Sequence, residues 1–157
     1  MLPFLREANT ARSVTDIING LYETLAPDTF SELFPVILTD RGTEFSNPTA
    51  IEQDANGNLR CLVFYCDPSS PYEKGGIEVT HELIRRIIPK GTPLDQFQQE
   101  DIDLMMDHIN SYKRKKLNNR SAHQLFSFLH GSDALAKLNA HCIEPNSIDL
   151  TLRLLKT

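Results

Sequence analysis

The chain has 157 residues, enough for one domain with a core, and its composition is ordinary: 40% hydrophobic, 24% charged, no Trp. No apolar run approaches the roughly 18 residues that cross a bilayer, and the opening Met1-Leu2-Pro3-Phe4-Leu5-Arg6-Glu7 is too short and too acidic for a signal peptide. A net charge of −5 works against nucleic-acid binding over the whole surface, so any such contact needs a local basic patch.

Residues 10–25 read as a helix: Val14, Ile17, Ile18, Leu21 and Leu25 recur at threes and fours, Thr10 or Ser13 is placed to cap it, and Pro27 helps end it. Residues 35–39 form a short apolar run, which predicts a strand buried on both faces. Asn47-Pro48 opens a turn or short helix, with Asn47 as cap and Pro48 at the first helical position. Asn56-Gly57-Asn58 is a turn signal, and Leu59 to Tyr65 is the next predicted strand. Asp67 to Gly76 is a loop rich in Pro, Ser and Gly. A helix follows over about 76–88, with Ile77, Leu83, Ile84, Ile87 and Ile88 as its buried stripe. Glu78, His81, Glu82 and Arg85 share the opposite face. A long amphipathic helix is expected from Gln98 to about Lys115, turning Ile102, Met105, Met106, Ile109 and Tyr112 inward. Helices are expected again over Ser121–Leu129, with Ser121 as cap, and over 132–141. The end, Ile148 to Leu154, alternates strictly and predicts a strand.

Two carboxylates stand in settings that suggest chemistry. Asp40 ends the apolar run Val36-Ile37-Leu38-Thr39, and Glu78 lies near the start of the helix after the Pro/Ser/Gly loop. An acid at the carboxyl end of a strand with an acid on a following helix is one way to hold magnesium, which takes oxygen ligands from one or two carboxylates plus substrate phosphates. The plainer alternatives are a polar strand end for Asp40 and an exposed helix acid paired along the helix for Glu78. Glu82 is a second candidate for the helical position, and Glu44 is a structural partner for the Asp40 loop. His81 could orient a substrate or simply line a polar face. Cys66 reads as a small core residue and Asp67 as a cap to the loop.

Thr39-Asp40-Arg41-Gly42-Thr43-Glu44-Phe45 resembles the second-acid motif of DDE transposases and retroviral-type integrases. Phe64-Tyr65-Cys66-Asp67-Pro68 through Gly75-Gly76-Ile77-Glu78 resembles their third-acid motif. His81 through Gly91, and Ile109-Asn110-Ser111-Tyr112 through Asn119-Arg120-Ser121-Ala122, are similar to the bacterial insertion-sequence group numbered thirty. The resemblance covers roughly 35–126. It implies a ribonuclease-H-like α/β fold, the integrase catalytic core, with three acids holding two Mg²⁺ or Mn²⁺ ions and DNA ends and target DNA as substrates. Asp40 matches the second acid and Glu78 the third, 38 positions further on; where the family often has Asn before the last acid, this chain has Ile77. The first acid has no counterpart: Asp16 and Asp28 are the aspartates upstream, and neither ends an apolar run. The chain is therefore expected to be a partial core lacking the first strands, over 1–126, with extra C-terminal helices in an extension over 127–157.

Lys113-Arg114-Lys115-Lys116, with Arg120 nearby, is the dense basic run; Arg85, Arg86 and Lys90 add charge near Glu78. By resemblance these residues hold DNA phosphates, a salt-dependent and sequence-blind contact. The alternative is a solvated helix end, where cations suit the C-terminal dipole. The resemblance implies transposition or integration by metal-dependent phosphoryl transfer, impaired by the missing acid. The second expectation is an inactive remnant or regulator that binds DNA, a second copy, or a full-length transposase. Cys61, Cys66 and Cys142 have no zinc spacing and read as reduced thiols, which suits a cytoplasmic protein with no membrane partner.

Overall fold

A computed structural model of the chain describes residues 1–67 and 75–155, with the backbone alone for 75–78. Contacts divide it into two units, Arg6–Lys74 and Met1–Leu5 with Gly75–Thr157.

In the first unit, Thr10 caps helix α1 (Ala11–Leu25): its hydroxyl accepts the Ser13 N–H at 3.2 Å, and Ser13 returns a bond to the Thr10 N–H. Both predicted capping residues thus act together. Pro27 ends α1 and also opens a helix absent from the sequence expectation, α2 (Pro27–Leu33), after Ala26 with φ of 69°. Seven residues are too few to hold a helix by propensity. Packing holds this one: Phe30 is fully buried and meets Tyr22 edge-on at 5.3 Å and Phe34 at 5.1 Å.

Strand β1 (Val36–Thr39), a helical turn at Thr43–Phe45, helix α3 (Pro48–Glu52) and strand β2 (Leu62–Tyr65) follow. β1 and β2 pair in parallel, Val36 with Leu62 through to Thr39 with Tyr65, and α3 lies in the connection. Asn47 caps α3 by accepting the Ala50 N–H. Asp54 collects the Asn56 and Asn58 N–H groups at the turn, where Gly57 takes φ of 82°.

Two expectations need correction here. β2 begins at Leu62 rather than Leu59, because Leu59 pairs with Gln53 and the Arg60 N–H goes to Glu52 O, drawing the chain back over α3. Nor is β1 buried on both faces. Val36 and Leu38 are 51% and 47% exposed, and their register partners Leu62 and Phe64 are 43% and 53% exposed. Residues two apart share a face, so these four make one apolar strip open to solvent.

In the second unit, α4 (Gly75–Ile87) packs on α5 (Gln99–Ser111) through Leu83, Ile87, Ile88, Ile102, Met105, Met106 and Ile109, all buried. The first residues of the chain are tied to α5. The Leu5 N–H reaches Gln99 Oε1 at 2.9 Å, Gln99 Nε2 returns to Pro3 O, and the Met1 amine donates to Asn110 Oδ1 at 3.0 Å. α5 does not run on to Lys115. It stops at Ser111, and Tyr112, expected inward, is 42% exposed. The basic run instead builds a hairpin: β3 (Lys113–Arg114), a tight turn at Lys115–Leu117, and β4 (Arg120–Ser121), with Arg114 opposite Arg120. Asn118 and Asn119 reverse the chain with φ of 53° and 59°, left-handed values that Asn tolerates and a continuing helix forbids.

Ser121 caps α6 (Ala122–His130) in a reciprocal pair with Gln124, and α7 (Ser132–Lys137) follows. No strand forms over 148–154. Asp149 accepts the Thr151 N–H, Thr151 accepts the Arg153 N–H, and these local bonds compete with extended pairing. The resulting turns lay Leu150, Leu154 and Leu155 on the α4–α5 core. The three cysteines are free, and no helix among the described residues is long and apolar enough to cross a membrane.

Candidate functional site

Asp40 sits one residue past β1, exposed, at the carboxyl end of a parallel strand pair. Ligands in open α/β sheets gather outside the carboxyl ends of strands. Asp40 Oδ1 accepts the Gly42 N–H at 3.2 Å, which turns the chain back over the strand end. Glu44 folds toward the same glycine. A Cβ at Gly42 would collide with the Glu44 carboxylate and lie 3.1 Å from Asp40 Oδ1. Gly42 is therefore the floor over which two carboxylates converge. Across the ladder, the Cys66 N–H donates to Thr39 O at 2.7 Å, the Tyr65 hydroxyl donates to Phe45 O at 2.6 Å, and Asp67 is exposed just beyond. Cys66 is buried, the role expected for it.

The upstream aspartates are not strand acids. Asp16 lies on α1 beside Arg12 at 3.8 Å, and Asp28 is in the first turn of α2. Glu78 lies in the first turns of α4, in the other unit; its side chain falls outside the described residues, as does the Pro68–Lys74 part of the loop before it. On the same helix His81, Glu82 and Arg85 are exposed as expected, and Arg86 pairs with Glu82 at 3.2 Å. Among the described residues no group of three or more His, Cys, Asp or Glu is placed to hold a metal ion. The donors that do converge at Asp40 are all carboxylate oxygens, the chemistry that suits a hard divalent cation.

The basic residues divide. Lys113, Lys115, Lys116 and Arg120 are exposed on the hairpin. Arg114 turns inward, donating to Thr80 Oγ1 at 3.2 Å and Ile109 O at 3.3 Å, and burial pulls its pKa down. It braces the hairpin against both long helices. Arg120 leans toward the Phe128 ring at 6.0 Å. Arg85, Arg86 and Lys90 are exposed but do not line the cavity beside the hairpin.

Two arrangements escaped the sequence reading. Arg60 is 4% exposed, donates to Ile51 O and Ala50 O at 2.8 and 2.9 Å, and stacks over Tyr22 at 5.2 Å, on the wall of a cavity of about 580 Å³. Its only sequence signal is a cation inside the apolar run 59–65. On α5, Asp107 and His108 are buried and hold the C-terminal segment. Asp107 accepts the His141 N–H at 2.8 Å, and His108 Nδ1 accepts the Asp149 N–H at 3.0 Å.

Comparison with known proteins finds several transposases among the chain's relatives. The transposase of insertion sequence element IS1086 from Cupriavidus metallidurans is 32% identical over 127 residues, 81% of this chain and 35% of that protein. The transposase InsI of insertion sequence element IS30A from Escherichia coli is 37% identical over 87 residues, 55% of this chain and 22% of its own length. The transposase of element IS4351 from Bacteroides fragilis is 28% identical over 104 residues, 66% of this chain and 31% of its own. No family model and no solved structure matches the chain. All three of these relatives are transposases of insertion sequence elements. In particular, the chain is homologous to a segment of insertion-sequence transposases and spans about a third or less of their length.

Proposed function

We propose that this chain carries part of a transposase catalytic core, a ribonuclease-H-like α/β domain that acts on DNA by phosphoryl transfer. The observation that carries it is Asp40: an exposed carboxylate at the carboxyl end of a parallel β-α-β pair, in a chain homologous to transposases. Asp40 and Glu78 are the residues that would hold divalent magnesium or manganese, with Glu44 beside Asp40. The chemistry such ions supply is charge that activates the attacking oxygen and stabilises the leaving one. The chain's own part is to fix the acids. The Gly42 N–H orients Asp40, and the bare α-carbon of Gly42 leaves room for Glu44. Lys113, Lys115, Lys116 and Arg120 bind DNA phosphates.

A second reading is favoured by the strip of Val36, Leu38, Leu62 and Phe64. A two-stranded sheet with an open apolar face is marginal by itself. It suits a non-catalytic chain whose sheet is completed by another polypeptide, a second copy or a full-length transposase. One experiment separates the two: manganese-dependent nicking of supercoiled DNA by the wild type, Asp40→Asn and Glu78→Gln. Weak nicking by the wild type, lost in both variants, supports the catalytic reading. Equal nicking by all three contradicts it. DNA binding with no nicking leaves the non-catalytic reading.

A further inference from the structure

The hairpin encloses more than a row of lysines. Beside it lies a cavity of about 550 Å³, within the range that holds small ligands. Val79, Leu117 and the exposed Tyr112 ring give it an apolar wall, and Lys113, Lys115 and Lys116 ring it with cations. Among the described residues no carboxylate lines it, and none of these lysines pairs with one. Arg114 adds its charge from behind, and its Nε is buried without a hydrogen-bond partner among the described residues. In a chain of net charge −5 this is a concentrated positive field.

Lysines alone would serve a duplex backbone. The aromatic ring and apolar wall set among them serve something with a flat face as well as a phosphate. We propose that this cavity holds one unstacked nucleotide of a DNA strand, its base against Tyr112 and its phosphates on Lys113, Lys115 and Lys116. A base stacked on an aromatic side chain is bound without regard to sequence, and the phosphate contacts are equally sequence-blind. The proposal rests on the DNA reading above and goes beyond it, because it requires single-stranded or frayed DNA rather than intact duplex.

The test uses the full chain and a labelled single-stranded oligonucleotide of about ten nucleotides, read by fluorescence anisotropy. Tyr112→Ala weakens binding by about tenfold, and Tyr112→Phe keeps it. Lys115→Ala with Lys116→Ala lowers the slope of log affinity against log salt by about 0.7 for each phosphate no longer neutralised. Because the chain has no tryptophan, Tyr112→Trp is a single reporter: its emission is quenched by the oligonucleotide and not by inorganic polyphosphate. If oligonucleotide and duplex bind the wild type and Tyr112→Ala alike and the tryptophan is unmoved, the proposal falls while the DNA reading stands. If a free mononucleotide quenches at the same concentration as the oligonucleotide, the ligand is not a strand and the proposal is overturned. If no DNA binds the wild type, both fall together.

Discussion

The two units bury their apolar residues differently. In the helical unit, seven side chains from α4 and α5 and the residue after α4 form one continuous core, closed over by Leu5, Phe97, Leu150, Leu154 and Leu155. In the strand-bearing unit, the buried residues Leu25, Phe30, Ile51 and Cys61 come mostly from helices and connections, while the sheet shows its own apolar face to solvent. One unit closes its core with residues from both ends of the chain; the other carries the acid at its strand end on a sheet of two strands. The contrast shows that the segment carrying Asp40 is the one whose sheet is least covered.

The largest effect that sharpens this contrast is in the helical core. Ile109 is fully buried, and Ile109→Ala is expected to cost about 2–5 kcal/mol. Leu38→Ala, on the open strip, is expected to cost no more than about 1 kcal/mol. Urea denaturation of both variants decides it, and an equal loss would mean that the strip is packed in solution. Next comes Arg60. Removing its side chain leaves the carbonyls of Ile51 and Ala50 without donors and uncovers Tyr22 and Phe30, so Arg60→Ala is expected to cost about 1–3 kcal/mol in the strand-bearing unit. Slowed-exchange amides in β1 and β2 should lose protection while those of α5 keep it.

A smaller effect depends on pH. His108 is held below the ordinary 6.5 by burial, against the opposing pull of Asp149 and Asp107. The unfolded chain thus takes up this proton first as pH falls. Stability from His108 is complete above about 6.5 and is lost as pH drops through the lower folded value. His108→Gln should remove that part of the acid-side slope, as measured by melting temperature against pH. The smallest effects are at the caps: Thr10→Ala and Ser121→Ala each remove a reciprocal capping pair and should cost about 1 kcal/mol or less.

The helices were legible wherever a cap and a period agreed. Thr10 or Ser13, Asn47 with Pro48, and Ser121 each marked a start that the structure keeps. What stayed hidden was decided by packing at a distance. α2 exists because Phe30 finds Tyr22 and Phe34. The break after Ser111 was disguised by Tyr112 continuing the apolar period, although Asn118-Asn119 carried the turn signal. The alternation over 148–154 misled because Thr151 and Asp149 use their side chains on the local backbone. Asp40 was legible as a strand-end acid, and the convergence of Glu44 on Gly42 was visible only as a sequence neighbour. Arg60 and the wall of the hairpin cavity join residues from separate segments, which no single stretch of sequence displays.

The claim that Asp40 belongs to a metal-holding site is tested most directly by calorimetric titration of manganese and magnesium into the wild type, Asp40→Asn, and Asp40→Asn with Glu78→Gln. Saturable binding to the wild type, weakened in the single variant and lost in the double one, is the expected result. Heats that are absent in the wild type, or unchanged in the double variant, would contradict the assignment of these two acids.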